Sequence, residues 1–246
     1  MKIQFLGTSG HHPTEQRHTS CVMLPEVGIV FDAGTGFFRV QEHVQTRELD
    51  VFLSHAHLDH VCGLTYFLVP MLKGIVDKVR VHANAATLET VQSHLLSSGL
   101  FPAPLNFEYL ELDAEWQVAG GGRLTHRPLT HPGGSMGYRI DWPDKSLAFI
   151  TDTTTSDSEK YFDFIKGVDL LIHECNFPDA MAEYTVPTGH SHSTAVGELA
   201  RKASVGRLIL THFGPDQPQD DPIGIEGVRK IFPNTELARD PWTVEF

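Results

Sequence analysis

Residues Ser54–Leu64 read SHAHLDHVCGL. Three histidines and an aspartate fall between His55 and His60, at the seam between the apolar run LDVFL and the residues Val61, Cys62, Gly63 and Leu64. A solvated loop would tolerate these residues but does not explain their crowding between two hydrophobic segments. The run ahead of them reads as a strand, where alternate residues share a face, so His55 and His57 are expected to point the same way. Asp59 and His60 then fall in the turn or at the start of a helix, facing a second point beside the first. Imidazole nitrogens and carboxylate oxygens suit Zn²⁺, and also Mn²⁺ or Fe²⁺. One segment does not complete two coordination spheres, so partners are expected downstream.

Those partners are expected at the ends of apolar strands. His131 ends RLTHRPLTH, Asp152 ends SLAFITD and His212 ends RLILTH. An ionised group straight after an apolar run is costly to bury alone, and a bound metal offsets that cost. Asp152 has two carboxylate oxygens and is able to bridge two ions. Taken singly, Asp152 reads as a cap or turn residue, and His131 and His212 as rim or core histidines. Taken with the HxHxDH cluster, they read as one ligand set.

The bulk properties set limits around this reading. The chain has 246 residues, 41% of them hydrophobic and 20% charged, which is ordinary for a globular protein with a proper core. Its formal charge of −12 argues against a general affinity for nucleic acid or anionic membranes, though not against a local basic strip. Cys21, Cys62 and Cys175 are far apart and form no CxxC pair, which fits a reducing compartment better than a disulfide framework. The start, MKIQFLGTSG, turns at Gly7 too early for a signal-peptide core, and no apolar run approaches a membrane span. A cytoplasmic protein without membrane partners is the expectation.

Strands are expected at KIQFL, SCVML, GIVFDAG, DVFLS, VRVHA and NFEYLEL, with helices over 61–73 and 84–99, the second capped by Asn84. Composition breaks at AGGG, Ala119 to Gly122, and a second strand-rich series begins. It runs through RLTHRPLTH, MGYRI, LAFIT, VDLLIHE, RLILTHF and WTVEF. Helices are expected at SDSEKYFDFIKG (capped by Ser156 or Asp157), from His192 to Ser204, and at GIEGVRKIF. Two halves of similar plan meet near residue 120. Both supply polar residues at strand ends, so residues 1–246 are read as a single domain.

In order along the chain stand GTSG, FDAG, SHAHLDHVCGL, THPGGSMGYR, ITDT, LLIHECNF, HST at His192 to Thr194, and LILTHF. This series resembles the metallo-β-lactamase superfamily nearly end to end, and its HECNF and HST pieces are similar to the ribonuclease Z branch. The resemblance implies an α/β fold, an αββα four-layer sandwich of two mixed β-sheets flanked by helices. It implies two divalent metal ions, zinc first, with manganese or iron as alternatives. His55, His57 and His131 would hold one ion, Asp59, His60 and His212 the other, and Asp152 would bridge. Water activated between ions about 3.5–4 Å apart would attack a phosphodiester, with Asp59 orienting it. His192 is expected to be the general acid that protonates the leaving alkoxide, oriented by Glu174, with His190 as its rival. His173 reads as structural, a support behind the ligands. The resemblance also implies a phosphodiester substrate, the 3′ end of an RNA such as a tRNA precursor or a small nucleotide diester, and pairing as a homodimer.

Two departures bear on substrate. The ribonuclease Z loop PTKxRN appears here as PTEQRH, Pro13 to His18, with Glu15 in place of a lysine and His18 in place of an asparagine. An anion there is unfavourable beside a polyanion. His131 and Asp152 are only 21 positions apart, which leaves no room for the family's tRNA-grasping arm. A cyclic nucleotide or related small diester is therefore the main alternative substrate. Hydrolysis of a lactone, thioester or β-lactam on the same scaffold is a second alternative, and a non-catalytic metal-binding protein a third.

Overall fold

The run that leads into the histidines alternates as its sequence requires. Leu49, Val51 and Leu53 are buried in one apolar cluster, so Asp50 and Phe52 take the opposite face of the strand. The computed structural model describes every residue, Met1–Phe246, and divides into two compact units. One is Met1–Asp113 with Arg239–Phe246, and the other is Ala114–Ala238. Each is built on one seven-stranded sheet.

The sheet of the first unit comprises β1 (Lys2–Gly7), β2 (Cys21–Leu24), β3 (Ile29–Phe31), β4 (Glu48–Phe52), β5 (Lys78–Ala83), β6 (Glu108–Glu111) and, from the far end of the chain, β14 (Trp242–Glu245). Its order is β14-β1-β2-β3-β4-β5-β6, antiparallel from β14 to β3 and parallel from β3 to β6. The second sheet comprises β7 (Trp116–Val118), β8 (Gly122–Leu129), β9 (Ser135–Asp141), β10 (Ser146–Ile150), β11 (Leu170–Glu174), β12 (Arg207–Thr211) and β13 (Thr235–Leu237). It follows the same plan, antiparallel from β7 to β10 and parallel from β10 to β13. These are two mixed sheets with flanking helices, as the resemblance implies.

Parallel strands end together at one edge, and the crevice outside their carboxyl ends is where open α/β sheets gather polar side chains. Here β3 and β4 deliver Asp32 and His55, while β10, β11 and β12 deliver Asp152, Glu174 and His212. The strands themselves are anchored by apolar faces. In the first unit Val79, Val81 and Ala83 join Leu49, Val51 and Leu53 in one cluster. In the second, Ala148, Ile150, Leu171, Leu208 and Leu210 meet Val196, Leu199 and Ala200 of the Ser193–Lys202 helix.

Several expected elements differ in detail. The break at AGGG is the turn of the β7–β8 hairpin. Gly120 and Gly121 take φ of 79° and 76°, and Val118 pairs with Gly122. The units divide at 113/114, a few residues before that turn, and the last eight residues return to the first unit. The helix expected over 61–73 starts earlier, at Leu58, and runs as short α-helical and 3₁₀ pieces. Asn84 does cap the next helix, accepting from the Thr87 N–H at 2.9 Å, but that helix passes into a π-helical turn over Val91–Leu95. At SDSEKYFDFIKG the cap is Thr154, and Asp157 interrupts the helix with non-helical torsions.

Candidate metal centre

In the first unit, the residues after β4 fold back on themselves. His57 takes an extended conformation at the N-cap, the Leu58–Val61 turn follows, and the His60 N–H donates to the His57 carbonyl at 3.0 Å. The chain thereby stacks its imidazoles. The His55 ring lies 4.4 Å from that of His57 and 4.3 Å from that of His60.

A residue to which the sequence reading gave no role, Asp32 of the FDAG segment, holds this group. Its carboxylate is fully buried, accepts from the Ser54 N–H at 2.7 Å and the Ser54 hydroxyl at 3.0 Å, and lies 2.8 Å from His60 Nδ1. An ionised carboxylate only accepts, so the His60 proton sits on Nδ1. Because the Ser54 hydroxyl donates to Asp32, it accepts from His55 Nδ1 at 2.9 Å. Both imidazoles therefore turn a bare Nε2 away from Asp32, the orientation a supporting carboxylate gives to metal-binding histidines. His60 Nε2 faces Asp59 Oδ2 at 3.3 Å, and that same oxygen accepts from the His11 N–H at 2.8 Å. A nitrogen lone pair against a carboxylate oxygen is repulsive unless a cation stands near both.

The second unit repeats the arrangement. His131 Nδ1 donates to the Gly189 carbonyl at 3.0 Å, which directs its Nε2 to Asp152 Oδ2 at 3.6 Å. Gly189 permits this close approach, since a Cβ there would stand 2.4 Å from Pro132 Cδ and its φ is 73°. His212 Nε2 lies 3.2 Å from the other oxygen, Asp152 Oδ1. Asp152, His190 and His212 offer donor atoms within 4.8 Å of one another. The His190 ring lies 5.0 Å from that of His131 and 5.5 Å from that of His212. Asp32, Asp152 and His212 all have left-handed φ, of 58°, 33° and 58°. Such strain in residues other than glycine gathers where surrounding structure over-determines a functional geometry.

The expected pairing of Glu174 with His192 is not what the structure has. Glu174 Oε1 faces His190 Nδ1 at 3.3 Å and accepts from the Thr153 N–H, while Oε2 accepts from the Asn176 N–H. His192 Nδ1 instead lies 2.7 Å from Asp179 Oδ1, an oxygen that also accepts from Ser193 Oγ and from the Thr194 N–H and hydroxyl. The reason is local. His192 is the N-cap of the Ser193–Lys202 helix but makes no cap bond of its own, so Asp179 supplies the acceptor the helix start needs and takes His192 with it.

Behind Glu174, the buried His173 is structural, as expected. Its Nδ1 donates to the Glu174 carbonyl at 2.7 Å, so the Tyr161 hydroxyl donates to its Nε2 at 3.1 Å. Burial pushes the His173 imidazole below its ordinary value, outweighing the Glu174 carbonyl and carboxylate, and raises the Tyr161 hydroxyl. A histidine held neutral in the fold takes up its proton more readily when unfolded. Its contribution is therefore complete above about pH 6.5 and is lost as pH falls from there toward its folded value. Urea unfolding at pH 7.5 and 5.5 should show the midpoint falling on acidification, with a shallower fall in His173→Gln.

Arg17 of PTEQRH is buried and donates from Nη1 to Thr8 Oγ1 at 2.6 Å, so it braces the loop, while Glu15 is exposed. A family model described as the β-lactamase superfamily domain matches residues 28–213. The chain belongs to the metallo-β-lactamase superfamily. Among superfamily proteins it is 28% identical to ribonuclease BN of Escherichia coli (strain K12) over 305 residues, covering 98% of either chain. Because that alignment is longer than the 246 residues here, the relative carries stretches with no counterpart in this member. By fold it is similar to the metallo-β-lactamase-fold protein YhfI from Bacillus subtilis, with a TM-score of 0.81, 20% identity and 99% of each chain covered. It is likewise similar to the short form of human tRNase Z, with a TM-score of 0.76, 20% identity, and 100% and 99% coverage. With the histidine–aspartate clusters, this kinship makes the chain a metal-dependent hydrolase. No helix is long and apolar enough to cross a membrane.

Proposed function

We propose that this superfamily member is a phosphodiesterase of the ribonuclease Z type, acting on an RNA 3′ end or a smaller nucleotide diester. The observation that carries this reading is the Glu174–His190 pair set among the imidazoles of His131 and His212. A phosphodiester expels an alkoxide, which needs a proton, whereas a lactone or thioester leaves with less need of an acid. The full-length homology to ribonuclease BN supports the same class.

In this reading the two units act as one hydrolase domain. As the family resemblance implies, His55, His57 and His131 would hold one ion, Asp59, His60 and His212 the other, and Asp152 would bridge them. The donors fit a divalent cation, zinc first, because nitrogens and carboxylate oxygens face one another with their lone pairs opposed. A pair of such ions would acidify water and offset charge on the phosphoryl group. The chain's own residues do the rest. Asp59, steadied by the His11 N–H, orients the attacking water. Asp32 keeps the Nε2 atoms of His60 and, through Ser54, of His55 unprotonated.

His190 rather than His192 delivers the proton to the leaving oxygen. Glu174 faces its Nδ1, which orients the ring and favours the protonated form that an acid requires. His192 helps to hold the Asp179-capped helix start. Pairing as a homodimer and a cytoplasmic location belong to the same reading.

The smaller diester is favoured as substrate by exposed Glu15 and by the stretches of ribonuclease BN that are missing here. Turnover of bis-p-nitrophenyl phosphate, nitrocefin, an acyl lactone and a thioester, with zinc and with manganese, tests the class. Diester turnover is expected to dominate, and a preference for the lactone or thioester would overturn the assignment. Cyclic nucleotides against a 3′-extended tRNA precursor then separate the substrates.

A further inference from the structure

We propose that the cavity lined by Pro13, His18, Thr35, Phe38 and Tyr66 is a seat for a nucleobase of the substrate. The identity of the ligand rests on the phosphodiesterase reading, but the shape and chemistry of the walls are independent of it. Phe38 and Tyr66 are 37% and 42% exposed, although large aromatic rings are ordinarily more buried. The wall they form with His18 is braced. The His18 ring packs 4.9 Å from Phe38, its Nδ1 lies 3.2 Å from Thr35 Oγ1, and its backbone N–H donates to the buried Asp240 carboxylate at 2.6 Å. The Arg39 guanidinium lies 5.2 Å from the centroid of the Phe38 ring.

The walls are also uncharged. Burial and the neighbouring Arg39 push the His18 imidazole down against a smaller upward pull from Asp240, so it is neutral at pH 7. Burial and Cys62 push the Tyr66 hydroxyl up to about 12. Neutral aromatic faces fit a planar heterocycle and offer little to a phosphate.

The cavity sits beside a residue that faces the substrate. The loop that supplies Pro13 and His18 begins at His11, whose N–H binds Asp59 Oδ2. Thr35 follows Gly34, where a Cβ would stand 2.1 Å from the Asp59 carbonyl oxygen, so the cavity wall abuts the Asp59 backbone. With a net charge of −12 and Glu15 on the same loop, the protein has little cationic surface to spend on phosphates. Stacking holds a nucleotide without them and accepts any base, because every base has a π-face.

The test has two arms that fail separately. In equilibrium dialysis of the full chain, adenosine is expected to bind and ribose not. Phe38→Ala and Tyr66→Ala should each weaken adenosine roughly tenfold or more, with Tyr66→Phe restoring it. In the kinetic arm, thymidine 5′-(p-nitrophenyl phosphate) is compared with methyl p-nitrophenyl phosphate. Wild type should show the lower KM for the base-bearing diester, and that preference should shrink roughly tenfold in either alanine variant. Adenosine that does not bind, or binds all variants alike, overturns the base seat whatever the turnover. Wild type that hydrolyses neither diester overturns the phosphodiesterase reading instead, while the dialysis arm still decides what the cavity holds.

Discussion

Asp152→Asn is expected to strip metal from the protein and to lower diester turnover by more than the roughly 10–100-fold that losing a supporting residue costs. Asp152 presents one oxygen to His131 Nε2 at 3.6 Å and the other to His212 Nε2 at 3.2 Å, so in the proposed reading it is the side chain placed to bridge the two ions. The amide keeps the shape but loses the charge and one acceptor oxygen, leaving imidazole lone pairs with nothing to share. Anything that binds the native state alone stabilises it by mass action. Zinc titration should therefore raise the melting temperature of wild type and leave that of Asp152→Asn flat. Asp32→Asn should fall between them, because Asp32 acts only through His60 and Ser54. Equal zinc stabilisation in wild type and Asp152→Asn would place the metal elsewhere.

His190→Ala carries the second large effect, and the leaving group sorts it. General acid catalysis contributes about 10²–10⁴-fold where the departing oxygen needs a proton. On a dinucleotide, which expels a sugar alkoxide, His190→Ala should lose that much. On bis-p-nitrophenyl phosphate, whose phenolate leaves unaided, it should lose far less. The alkaline limb of the pH profile is the third signature. An acid works only while protonated, so dinucleotide turnover should fall as pH rises through the His190 pKa, and that limb should vanish in the variant. His192→Ala removes one of four donors to Asp179 Oδ1, which is a matter of about 1 kcal/mol of stability, and should show no such dependence on leaving group. The reverse pattern would return the acid to His192.

The contrast between these two histidines shows what the sequence makes legible. Strand ends are local, so an apolar run stopping at His55, Asp152 or His212 announces a polar residue at a sheet edge. The fold follows from the same alternation, since Leu49, Val51 and Leu53 already read as one buried face. A pairing across a loop is not local. Glu174 and His190 are joined by a segment that turns through the Thr185–Thr188 helix and Gly189, and nothing in GHSHST tells which histidine that path brings back. Asp32 stayed without a role for a similar reason, because its partner His60 lies 28 residues away and only the β3–β4 pairing brings the two together. Gly120 and Gly121 are legible as a break in composition, but not as the element they build. The cluster supplies the left-handed residues of a tight hairpin.

In the proposed function, donors from distant parts of the chain hold a pair of cations. Anomalous diffraction at the zinc edge, on crystals grown with zinc, tests it most directly. Two peaks about 3.5–4 Å apart are predicted, one bonded to His55, His57 and His131, the other to Asp59, His60 and His212, with Asp152 reaching both. A map with no peak, or with His131 and His212 turned away from a zinc held elsewhere, would contradict the account.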